Sequence, residues 1–185
     1  MILPIIAYGD SILRNVSKEI DRMFPNLDEF IANMYETMYA TNGVGIAAPQ
    51  LGIPARLFVI DSREMYNKDG IEGQGLKQIF INPEIINETG QNWEYEEGCL
   101  SIPGIRENVR RRPTIKVRFT NENWEDQTTE FDGYTARVIQ HENDHLDGVL
   151  FIDKISPLKK QLIRGKLMEI QRGWVKVDYR MRFAR

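Results

Sequence analysis

Leu27, Phe30, Ile31, Met34, Tyr35 and Met38 recur at the spacing of one helical face, which predicts an amphipathic helix over about 26–41. Asn42-Gly43 supplies its stop signal. Small residues then erase the pattern through "GVGIAAPQLG", read as a loop, before "RLFVID" restores an apolar run suited to a strand. The polar, glycine-punctuated "DSREMYNKDGIEGQG" predicts a surface excursion, and "KQIFINPEII" a strand interrupted at Asn82-Pro83. Alternation of Ile115, Val117 and Phe119 marks a further strand, and "TNEN" turns the chain into "WEDQTTEF" as its hairpin partner. Asp132 is placed to cap a helix from about Gly133 to Leu146, with Gly148 just past its end. Ser156-Pro157 opens a last helix that Gly173 should stop, and "WVKVDY" then alternates like an edge strand. Strands separated by few helices predict an α+β fold rather than a doubly wound sheet.

Composition changes this picture little. A chain of 185 residues, 42% hydrophobic and 28% charged, is expected to form one domain over 1–185 with a full core. No run approaches the roughly 18 apolar residues of a membrane span. The apolar start "MILPIIAYGDSILR" lacks a basic region and meets Asp10 too early for a signal peptide. The single cysteine, Cys99, excludes an internal disulfide and fits a reducing compartment. The expectation is a soluble cytoplasmic monomer with no membrane or DNA partner. Charge adds one asymmetry: residues 154–185 carry ten Lys/Arg against Glu169 and Asp178, although the whole chain is at −3.

The chain has two histidines, His141 and His145, in "IQHENDHLDGVLF". Positions i and i+4 of a helix share a face, so both imidazoles can aim at one point, as a metal ion requires. His-Glu-x-x-His is the pattern in which the histidines bind a metal and the glutamate, here Glu142, is the general base. A third ligand is needed. The longer zinc-protease pattern continues as far as Gly148 and then has Phe151 where a histidine belongs. Cys99 is the remaining soft donor, with an aspartate or glutamate as the alternative. Two imidazoles and a thiolate would leave a tetrahedral ion one open position for water, the arrangement of a catalytic rather than a structural site. The chemistry implied is hydrolysis of an amide-like carbonyl, with Glu142 carrying the proton from water to the leaving group.

A tetrahedral intermediate needs donors for its oxyanion. The loop Gly43 to Gln50 ends in the neutral amide of Gln50, and the Leu100 backbone N–H in "EEGCLSIPG" can face the same point. Read alone, the loop is equally a glycine-rich turn closing the preceding helix; no Gly-Lys-Ser/Thr follows to make it a phosphate loop.

Three segments together resemble the peptide deformylases: Gly43-Val44-Gly45-Ile46-Ala47-Ala48-Pro49-Gln50, Glu97-Gly98-Cys99-Leu100-Ser101, and the helix Gln140 to Leu146. The resemblance implies mixed or antiparallel sheets packed around a central metal-binding helix, with a C-terminal helix. It implies removal of the N-formyl group from the initiator methionine of nascent polypeptides, with release of formate. Carried over residue by residue, Cys99, His141 and His145 hold the metal and Glu142 is the acid/base. Gln50 and the Leu100 N–H stabilise the oxyanion, and Gly45 lies beside the substrate backbone. The metal implied is Fe(2+), with zinc, nickel or cobalt able to substitute; ligand count alone points to zinc.

Tyr134 and Val138 precede His141 by seven and three residues and so share the ligand face. With Val44 they are the candidate methionine pocket, against ordinary core packing. Arg106 is a candidate partner for a substrate carbonyl, against a solvated arginine in "RENVRRR". The basic segment 154–185 suits an RNA-rich surface and a ribosome contact, against a solvated helix face. Two other readings stand beside the hydrolase of formyl groups. A zinc endopeptidase lacks its downstream ligand, and a non-catalytic metal-stabilised RNA-binding module lacks a fourth histidine or cysteine to close the site.

Overall fold

Alternation decides which face of each strand is buried, and a central sheet follows from it. The structure, a computed structural model, describes residues 1–184. The chain runs β1 (Ile5–Ile6), α1 (Leu27–Ala40), β2 (Gly45–Ala47), β3 (Leu57–Asp61), α2 (Arg63–Lys68), β4 (Lys77–Thr89), β5 (Trp93–Cys99) and β6 (Ile102–Arg111). It continues with β7 (Thr114–Thr120), β8 (Asp126–Asp132), α3 (Gly133–Leu146), α4 (Pro157–Gln171) and β9 (Met181–Arg182). Strands β2-β3-β4-β7-β8 form one antiparallel sheet, β5 and β6 a long hairpin, and β1 and β9 a short parallel pair.

On β3, Phe58 and Ile60 point to one face of the sheet with Phe80, Val117 and Phe131, against Ala136, Val138, Ile139 and Leu146 of α3. Leu57 and Val59 point to the other face, against Met34 and Met38 of α1. A third apolar cluster joins Ile102 and Val109 of β6 to Phe151, Ile152 and the α4 residues Ile163 and Ile170. Helix α3 therefore sits between the sheet and the β5–β6 hairpin, and it is buried nearly all round. The α+β class and the central helix are as expected. No helix among the described residues is long and apolar enough to cross a membrane.

Tertiary contacts overrule the local pattern in several places. The glycine–alanine segment is not a loop: Gly45–Ala47 is an edge strand paired with Phe58–Ile60, followed by a 3₁₀ turn at Ala48–Leu51. The Asn82-Pro83 interruption is a bulge within β4, which continues to Thr89. Asn82 takes φ 50°, and its amide replaces ladder bonds by pairing with both backbone groups of Ile20 at 2.9 and 2.8 Å. The polar excursion after β3 contains α2, anchored by the buried Tyr66. Asp132 occupies the cap position of α3 but makes no side-chain cap bond, whereas Ser156 caps α4 through Lys159 N at 3.3 Å. "WVKVDY" alternates in burial but joins no ladder; the strand that forms is β9, further on, because β1 offers its free edge there.

Candidate metal centre

The helical spacing does what it promised. On α3 the rings of His141 and His145 lie 5.1 Å apart at 77°. Cys99 reaches them because the β5–β6 register slips at the tip: Gly98 pairs Arg106, but Cys99 pairs Ile102. Its Sγ lies 3.3 Å from His145 Nε2, and the three donor atoms of Cys99, His141 and His145 all fall within 4.8 Å of one another. Tetrahedral ligands about 2.0–2.3 Å from a common ion sit roughly 3.3–3.6 Å apart, so the donor set and its spacing suit a divalent transition metal.

The three candidate ligands stand in a cluster of buried charges. His141 Nδ1 lies 2.9 Å from Glu97 Oε2, which leaves Nε2 for an ion. Glu97 in turn accepts from Arg111 at 2.6 and 2.9 Å and from Arg137 at 3.0 Å, and Arg111 also donates to Asp144 at 2.7 Å. Arg137 also donates to the carbonyls of Val109 and Trp93 and stacks on the Trp93 ring, while its Nε finds no partner among the described residues. Burial opposes the charge on Glu97, but its bonds to Arg111 and His141 hold the carboxyl well below the usual range. Burial likewise opposes charge on His141, yet bonds to Cys99 and Glu97 raise it well above the ordinary imidazole value. His145 is pushed well below that value, first by burial and then by the charge of His141, which favours its neutral ring. Its Nδ1 finds no partner among the described residues, so only His141 is braced from behind.

Glu142 is 4% exposed, and its Oε2 has no hydrogen-bond partner among the described residues. Burial pushes its carboxyl up to about 7, further than the nearby His141 pulls it down. Such a group can exchange protons near neutrality. A Cβ on Gly45 would stand 2.6 Å from Glu142 Oε1, so the glycine is required by the approach of this carboxylate. Gln50 is oriented by Ala47, whose N–H donates to Oε1 at 2.9 Å; its Nε2 then faces Cys99 Sγ at 3.4 Å and Ser101 Oγ at 3.3 Å. The Leu100 N–H meets no protein acceptor among the described residues, which leaves it available to an incoming oxygen.

A cleft of about 1400 Å³ opens onto these groups. Val44, Gly45, Gln50, Cys99, Leu100, Arg106, Val138, His141 and Glu142 all line it, with His145 buried beneath. Tyr134 does not line it and is corrected here. Two helical turns from His141, it is too far along α3, and it packs instead against Tyr66, Trp93 and Tyr95 with its hydroxyl on Asp69. Arg106 lines the cleft but already pairs with Glu96 at 2.6 Å on the surface. Sequence reasoning missed the Glu97–Arg111–Arg137 cluster and the apolar wall made by Met65 and Ile105. Arg137 carried a signal, since it precedes His141 by the same four residues that separate the histidines. Arg111, one of three successive arginines in "RENVRRR", carried none.

Comparison with known proteins agrees with this geometry. Residues 2–161 match the family model described as polypeptide deformylase. A peptide deformylase of Christiangramia forsetii is 50% identical, over 99% of this chain and 96% of its own length. One from Flavobacterium johnsoniae is 51% identical over 100% and 97%. The crystal structure of a peptide deformylase from Legionella pneumophila superposes with a TM-score of 0.80 at 35% identity, covering 96% of this chain and 99% of that one.

Proposed function

This chain belongs to the polypeptide deformylase family, and we propose that Cys99, His141 and His145 hold its metal as Fe(II), with Glu142 as the general acid/base. The protein is a metal-dependent hydrolase that removes the N-formyl group from the initiator methionine of nascent polypeptides and releases formate. The observation that carries the residue assignment is the convergence of one sulfur and two ring nitrogens beside an unpartnered buried carboxylate. When bound, the ion supplies a Lewis acid that polarises the formyl carbonyl and makes water nucleophilic near neutral pH.

The remaining work belongs to the side chains. Glu142 accepts the proton released as water attacks and returns it to the departing amine. Gln50 Nε2, beside Cys99 Sγ, and the Leu100 N–H donate to the oxygen on which charge develops. Gly45 keeps its strand close to Glu142 and leaves room for a substrate backbone. Val44 and Val138, extended by Ile105 and Met65, are the methionine pocket, and Arg106 lies where it can exchange Glu96 for a substrate carbonyl.

Protein purified without oxygen should contain about one iron per chain and release formate from formyl-Met-Ala-Ser. Air should remove that activity, because both the ferrous ion and its thiolate oxidise. Fully active protein carrying zinc and no iron would sink the iron assignment. Burying a methionine side chain should favour formyl-Met-Ala-Ser over formyl-Gly-Ala-Ser by about tenfold or more in kcat/KM. Equal values would remove the pocket.

The same reading makes residues 1–185 one catalytic domain, working as a cytoplasmic monomer. The basic segment 154–185 is its contact with the ribosome. Leu158, Leu162 and Lys166 recur every four residues on one exposed face of α4, and Arg164 is exposed on the opposite side of the helix. Co-sedimentation with ribosomes should fall as salt rises and should weaken in the Arg164→Glu/Lys166→Glu variant. Binding that ignores both changes would end the ribosome proposal.

A further inference from the structure

The family match stops at residue 161, but the chain is not finished with the active site there. After α4 it turns at Gly173, φ 75°, and residues 174–182 return to the cleft as a strap. Val175, Val177 and Tyr179 are half-buried and alternate with exposed Trp174, Lys176 and Asp178. Residues 176–179 line the cleft itself. The far end is anchored, since β9 lies against β1 and the N–H groups of Ile5 and Ala7 donate to the carbonyls of Arg180 and Arg182 at 2.9 and 2.8 Å.

Between the two ends, the Tyr179 hydroxyl donates to the Leu100 carbonyl at 2.8 Å. That contact matters because of where Leu100 sits. The β5–β6 ladder closes with Cys99 opposite Ile102, so Leu100 and Ser101 form a tip outside it. Ser101 is fixed independently, by Tyr8 N–H on its carbonyl at 2.8 Å and Gln50 Nε2 on its hydroxyl at 3.3 Å. Leu100 has no such ladder bond, and a small rotation about its backbone would re-aim its N–H. Oxyanion donors must be held to within about 0.5 Å and 10–20° to be effective.

We propose that Tyr179 is a positioning residue: by holding the Leu100 carbonyl it directs the Leu100 N–H into the cleft, which makes the strap 174–182 part of the catalytic site. This inference rests on the assignment of Leu100 as an oxyanion donor.

The test is Tyr179→Phe in the iron-loaded, full-length enzyme. Phenylalanine keeps the ring that, like Met181 and Leu100, packs against the core beneath α1, and removes only the hydroxyl. The expected result is a fall in kcat of about three- to tenfold, the worth of one neutral hydrogen bond, with KM and iron content unchanged and Tm lowered by no more than about 2–4 °C. A kcat equal to that of the unmutated protein overturns the proposal. So does a loss that comes with lowered iron content or raised KM, since the hydroxyl would then be a general prop. Failure of the unmutated protein to release formate would instead count against the function assigned to the site, so the two failures are distinct.

Discussion

Glu142→Ala is expected to release formate from formyl-Met-Ala-Ser about 10²- to 10⁴-fold more slowly than the unmutated protein, with its metal content intact. The size of the effect follows from the absence of a substitute. Among the described residues, Glu97 and Asp144 are engaged by Arg111, and Glu97 also by Arg137 and His141, while the other carboxylates lining the cleft, Asp69, Glu96 and Asp178, are exposed. Glu97 is moreover held far from neutrality by those partners, so it cannot carry a proton at pH 7. Glu142 alone combines burial, a free Oε2 and a carboxyl pushed up to about 7. Single-turnover formate release with parallel iron analysis checks this. A loss under tenfold would move the proton to another group, and a loss explained by missing iron would make Glu142 a structural residue.

The second large effect lies behind the metal. Glu97→Ala should lower stability by about 3–5 kcal/mol, because Arg111 would be left with Asp144 alone and Arg137 would keep a largely buried charge without a carboxylate partner. Their side chains are 4% and 2% exposed. Metal affinity should fall roughly 10- to 100-fold in the same variant, since His141 loses the partner that fixes its ring. The neighbouring Glu96→Ala is the control. Its carboxylate pairs with Arg106 at 2.6 Å, but in solvent, and its removal should cost no more than about 1 kcal/mol. Denaturant unfolding and metal competition on both variants decide the matter. Similar stability losses in the two would show that the buried cluster is not a special feature of the site.

These two residues also show where pattern reading works. Glu142 was legible because its neighbours at 141 and 145 are bound to it by helical geometry, a relation among residues a few positions apart. Glu97 stood in a motif that named the ligand beside it, but its role depends on Arg111 and Arg137, fourteen and forty residues away. Tyr134 fails for the complementary reason. A shared helix face fixes direction but not reach, and the cleft ends before Tyr134. The alternation of "WVKVDY" was likewise a true record of burial but not of pairing, because a strand needs an edge to join and the strap has none until β1.

By itself the sequence determined the elements whose apolar period is unbroken and the placing of His141 and His145 on one helix face, and it narrowed the third donor to Cys99 or a carboxylate. Each of these is settled by local spacing or by the scarcity of the residue type. Tertiary structure alone decided that two arginines would neutralise Glu97 and that burial would raise Glu142 toward neutrality. It also decided that Tyr179, eighteen residues beyond the family match, would reach back to Leu100. Charge compensation, desolvation and the closing of distant segments on one point depend on three-dimensional packing, and a linear order of residues does not carry it.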